Sequence, residues 1–70
     1  MKRMTGPELR RIRKRLGLTQ VEFAKEMGWH PNSVARAERG EMAISPTAAH
    51  LARLLLFVRE GRTPRSKGKR

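Results

Sequence analysis

Apolar residues recur at three- and four-residue intervals in four stretches of the chain, and each stretch carries its own start and stop signals. Leu9, Ile12 and Leu16 share one face, after Thr5-Gly-Pro-Glu8 and before Gly17. The threonine-to-glutamate spacing is that of a capping box, whose two side chains satisfy backbone N–H groups left free at a helix start. The same spacing recurs at Thr19 and Glu22, ahead of Phe23, Ala24 and Met27. Gly28 follows, a residue type that takes the left-handed backbone of a helix end without steric cost. Pro31 opens a third stretch, with Val34 and Ala37 pointing inward and a stop near Gly40; Ser45-Pro46 opens a fourth that runs to about Glu60. The pattern predicts an all-α chain of four helices over residues 5–60, with residues 1–4 as a flexible N-terminus and Ile44 plugging the core from the loop before the last helix. Val21 falls off the buried face of its helix and is expected to be partly exposed.

The fourth helix is the least orderly. At roughly 100° per residue, Ala48, Leu51, Leu54, Leu55 and Val58 fall on one face. Leu56 and Phe57 project away from it on opposite sides. They are expected to form a homodimer interface, unless one of them folds back over the first helix.

The second and third helices are separated only by a short turn at Gly28, Trp29 and His30, the helix-turn-helix plan in which the second helix enters the DNA major groove. The segment resembles the Cro/phage-repressor (Xre-type) helix-turn-helix family. The resemblance is carried by Leu16-Gly-Leu-Thr-Gln20, Ala24, Gly28, Ser33-Val34 and Glu38-Arg39-Gly40, and it covers roughly Thr5 to Val58. It implies a compact four-helix, lambda-repressor-like DNA-binding domain. It further implies an ion pair between Arg13 and Glu38 tying the first helix to the third, and a phosphate contact by Gln20. In the family that glutamine also buttresses the third helix. Its usual partner is replaced here by Pro31, so only the phosphate role carries over.

Charge points to the same class of partner. The chain has 17 Lys+Arg against 6 Asp+Glu, net +11. Residues 1–15 hold seven bases and one acid, residues 61–70 five bases and no acid, while residues 16–60 balance to zero. An excess concentrated at the two ends favours a polyanion. The last ten residues mix Gly, Pro, Ser and cations and are expected to form a disordered basic tail adding nonspecific affinity. There are no cysteines, so no disulfide or cysteine-ligated zinc braces so short a chain. No apolar run reaches the ~20 residues of a membrane span, and no secretory leader is written at the start. A cytoplasmic, nucleoid-associated location is expected, with no cofactor, no metal and no small-molecule ligand.

Sequence choice on DNA comes from base edges, and most affinity from phosphates. On the third helix the side chains expected to reach bases are Pro31, Asn32, Ser33, Ala35 and Arg36. Asn pairs bidentately with adenine and Arg with guanine, each worth ~1–3 kcal/mol of discrimination. Pro31 offers only an apolar contact. Phosphate candidates are Arg10, Lys14, Thr19, Gln20, His30, Arg39 and Thr47, with Ser33 as a further one. Helix N-termini favour anions because they present unpaired N–H groups. Trp29, the sole tryptophan, is expected in the core between the second and third helices, or else at the DNA edge.

The leading reading is a sequence-specific DNA-binding transcriptional regulator, a repressor binding a short inverted repeat as a dimer. The alternative is an antitoxin that binds a toxin partner and controls its own operon. An RNA-binding protein would need the aromatic stacking platforms that are missing here. An enzyme is not expected: the chain has no Cys, no Asp and no plausible acid/base pair.

Overall fold

Hydrogen-bonding side chains cap the start of each of the four helices among the described residues. The computed structural model describes residues 3–61, and among them places α1 at Gly6–Leu16, α2 at Gln20–Met27, α3 at Pro31–Glu38 and α4 at Pro46–Arg59. No strand occurs among the described residues. Both capping boxes close. The Thr5 hydroxyl accepts from the Glu8 N–H at 3.2 Å while the Glu8 carboxylate accepts from the Thr5 N–H at 3.0 Å. Thr19 and Glu22 repeat the exchange at 3.1 and 2.9 Å. Ser45 caps α4 by accepting from the Ala48 N–H, and Pro7, Pro31 and Pro46 each sit in a first turn, where a missing N–H costs nothing.

The core gathers one face from each helix: Leu9, Ile12 and Leu16 of α1, Phe23, Ala24 and Met27 of α2, Val34 and Ala37 of α3, and Ala48, Ala49 and Ala52 of α4. Ile44 closes it from the loop before α4, and Phe23, Leu9 and Val34 are its largest fully enclosed side chains. α1 packs on α3 and α4, and α2 packs chiefly on α3. Val21 is about half exposed, in keeping with its place off the stripe.

Two expectations need correction, and one contact was not anticipated. Met4, read as part of a flexible start, is buried at 5% exposure and belongs to the core. Its side chain joins the apolar cluster ahead of the Thr5 cap, where the chain is already fixed by the box. The buried stripe of α4 is also rotated. Ala48, Ala49 and Ala52 are enclosed, Leu51, Leu54, Leu55 and Leu56 are half-buried, and Val58 is 68% exposed. Small side chains let α4 approach its neighbours closely, so the alanines take the interior and the leucines flank the contact. An angular count that follows the large residues misses this. Finally, Gly6 is buried, and a Cβ there would lie 2.4 Å from the Glu38 carbonyl oxygen and 2.6 Å from that of Ala37. The start of α1 therefore abuts the end of α3, bringing the positive end of one helix dipole to the negative end of the other.

The expected basic tail falls, apart from Gly61, outside the described residues. Among the described residues no helix is long and apolar enough to cross a membrane.

Candidate nucleic-acid interface

The exposed side of α3 is set by what its other side buries. Val34 and Ala37 are enclosed at 0% and 1% exposure, which turns Asn32 and Arg36 outward. These two are four residues apart and so lie one above the other on the same helical face. Pro31, Ser33 and Ala35 flank them, half-buried rather than fully outward. The face thus presents one long and one short polar side chain rising from a low, mostly apolar floor.

The turn leading into α3 is tightly built. Gly28 has φ 71°, and the Trp29 N–H reaches back to the Ala24 carbonyl at 2.7 Å. Trp29 is half-buried against the core, on the interior side of the two expected positions. His30 is the N-cap of α3: its Nδ1 accepts from the Asn32 N–H at 3.1 Å. The ring that caps the helix therefore also fixes the backbone of the first outward residue.

Behind the face lies a polar lock. Arg13 Nε and Nη2 donate to the two carboxylate oxygens of Glu38 at 2.6 and 3.1 Å, with the side chains only 11% and 5% exposed. The remaining fork of Arg13 donates from Nη1 to the Leu18 carbonyl at 3.0 Å. Gln20 Nε2 donates to Glu38 Oε1 at 3.1 Å. The glutamine therefore does buttress α3, through Glu38 at its last turn rather than through a partner at its first. With Pro31 unable to accept or donate at its side chain, the amide takes the acceptor that Arg13 has already brought into place.

The other phosphate candidates divide into free and engaged groups. Arg10 and Lys14 are exposed one turn apart on α1, and with Pro7 and Arg11 they line a shallow depression of about 340 Å³ that reaches Glu38. Thr19 is exposed, but its hydroxyl and N–H are both committed to Glu22. The N–H groups of Gln20 and Val21, at the first two positions of α2, have no intrahelical acceptor and remain the donors an anion would find there. Thr47 is exposed in the first turn of α4. Arg39 is exposed but not free: its Nε and Nη2 donate to Glu41 at 2.9 and 3.2 Å. The paired guanidinium and carboxylate move each other in opposite directions, the Arg39 group upward and the Glu41 carboxyl below its ordinary value.

Leu56 and Phe57 lie away from this face, in a groove of about 320 Å³ with Ile12, Arg15, Arg53 and Glu60. Leu56 is half-buried against the core, and Phe57 is 40% exposed. Arg15 and Glu60 pair across the groove, joining the last turn of α1 to the end of α4.

Sequence reasoning did not reach the Arg39–Glu41 and Arg15–Glu60 pairs, the Gln20–Glu38 bond or the Gly6 contact. The first had a signal available, opposite charges flanking a glycine at a helix end; the others depend on how helices cross. A family model described as helix-turn-helix matches residues 9–57. No curated protein and no solved structure matches the chain.

Proposed function

The chain belongs to the Cro/C1-type, Xre-like helix-turn-helix family of DNA-binding transcription regulators, and on that premise we propose that it is a sequence-specific repressor. It reads a short inverted repeat as a homodimer, with α3 of each protomer in a major groove one helical turn from the other. The observation that carries this reading is the outward pair Asn32 and Arg36 on a helix whose reverse side is locked by Arg13, Gln20 and Glu38.

Arg36 reads guanine by its two-pronged donor, and Asn32 reads adenine. Pro31, Ser33 and Ala35 form the low floor that lets the base edges approach. Arg10, Lys14, Gln20, His30, Arg39 and Thr47, with the first N–H groups of α2, hold phosphates and set the register. Leu56 and Phe57 bury their exposed surface against a second copy. The site of action is the nucleoid.

Selection from a random duplex library at near-physiological salt tests this. The wild type should yield a palindromic motif, and Arg36→Ala should relax its guanine preference at one position per half-site. Recovery of no motif, with binding governed by salt alone and indifferent to Arg36, would make the protein a nonspecific polycation instead.

A further inference from the structure

Each of the other acids among the described residues has a place in the fold. Glu8 and Glu22 close capping boxes, Glu38 sits in the polar lock, Glu60 pairs with Arg15, and Glu26 lines a groove beside the end of α4. Glu41 differs. Its partner is Arg39, the cation at the end of the helix that carries Asn32 and Arg36, and both side chains are more than half exposed, at 52% and 57%.

The placement is fixed by backbone. Gly40 turns into the left-handed region at φ 80°, its N–H donates to the Ala37 carbonyl at 3.1 Å, and the Glu41 N–H donates to the Arg36 carbonyl at 2.8 Å. These are the paired bonds of a Schellman helix end. They pin Glu41 to the last turn of α3, close enough to Arg36 that the charge of that arginine also helps lower the Glu41 carboxyl, after the hydrogen bond and charge of Arg39. The carboxylate is therefore held at the end of α3 on the guanidinium of Arg39.

We propose that Glu41 is an internal competitor for DNA, a carboxylate that occupies the guanidinium fork of Arg39 and must be displaced before that fork can hold a phosphate. The proposal rests on the DNA-binding reading above. A carboxylate and a phosphate compete for the same two-pronged guanidinium geometry. Phosphate engagement by Arg39 breaks the pair and leaves Glu41 facing polyanion. The cost is the same on every duplex to which Arg39 docks, so the acid lowers affinity for DNA without altering the choice of sequence.

The test is binding of a random-sequence duplex, followed by anisotropy across a salt series, for the wild type, Glu41→Gln, Glu26→Gln, Arg39→Ala and the Arg39→Ala/Glu41→Gln double variant. Glu41→Gln should tighten random-duplex binding about fivefold, the upper range for a surface ion pair. It should also steepen the dependence of log K on log salt by about 0.9, one further phosphate neutralised. Glu26→Gln, which removes the same charge beside α4, should do much less. In the Arg39→Ala background the Glu41 change should lose most of its effect. On the duplex recovered by selection the gain should be of the same size, so the ratio of the two affinities is unchanged. Equal effects of the Glu41 and Glu26 changes, or an effect undiminished without Arg39, would reduce Glu41 to net charge and overturn the proposal. Duplex binding that ignores Glu41→Gln would overturn it while leaving the DNA-binding reading intact. Absence of duplex binding by every variant would remove both.

Discussion

The Gln20 amide donates to the Glu38 carboxylate across 3.1 Å, and so ties the first turn of α2 to the last turn of α3. Glu38 Oε1 also accepts from Arg13 Nη2, which brings α1 into the same knot. One nearly enclosed acid thus holds three helices in register, and the angle at which α3 meets the other two depends on it. Removing the amide with Gln20→Ala should cost about 1.5 kcal/mol, as for a hydrogen bond to a charged group. Chemical denaturation measures it, and a cost near zero would make the contact incidental.

The Arg13–Glu38 pair should show the asymmetry of buried charge. Arg13→Met strands an acid that is 5% exposed and should cost about 3 kcal/mol, with Glu38→Leu similarly damaging. The Arg13→Met/Glu38→Leu double variant should recover much of the loss, since neither charge is then left unpaired. Urea midpoints of the four proteins close the cycle. Additive single costs would mean that the two side chains act separately.

Gly6→Ala should destabilise by about 1–3 kcal/mol, the range for overfilling a packed contact. The added carbon meets the backbone oxygens of Ala37 and Glu38, which no rotamer change moves aside. The end of α3 must shift, so duplex affinity should fall together with the melting temperature. An unchanged melting temperature would show that α1 can slide outward freely.

Acid should weaken the start of α1 through Glu8. The Thr5 backbone N–H, then its hydroxyl, hold the Glu8 carboxyl below the ordinary value of 4.5, with the charges of Arg53 and Arg11 adding to this. A depressed carboxyl contributes stability that is full above the unfolded value and is lost as pH falls through the folded one. The wild type should therefore melt higher than Glu8→Gln at neutral pH, and the gap should close on acidification below 4.5. A gap constant with pH would assign the difference to packing.

Phe57→Asp should leave the fold intact, because the ring is 40% exposed, while abolishing self-association. Sedimentation of the wild type should show a concentration-dependent dimer, and of the variant a monomer that binds an inverted repeat without cooperativity. A wild type monomeric at all concentrations would remove this surface from the assembly.

Much of this molecule is written locally. The Thr5/Glu8 and Thr19/Glu22 boxes, the proline starts and the turn at Gly28 are short-range chemistry, and the helices that follow them lie within a residue or two of where that chemistry puts them. The outward placement of Asn32 and Arg36 follows from Val34 and Ala37, again within one helix. What escaped depended on helix crossings. Ala49 and Ala52 carry little transfer energy each, so a count of large apolar residues passed them over, although their small size is what lets α4 come close. Gly6 resembles any exposed helix-start glycine until α3 is laid across it. Met4 lies ahead of the first periodic stripe, where no period exists to mark it.

Trp29 closes the turn through its backbone N–H and packs its half-buried indole against the core, three residues before Asn32 emerges. The chain contains no tyrosine and no second tryptophan. Its ultraviolet emission is accordingly a native reporter for one junction. Quenching or a wavelength change on adding duplex would register how firmly α3 is seated, with no dye attached.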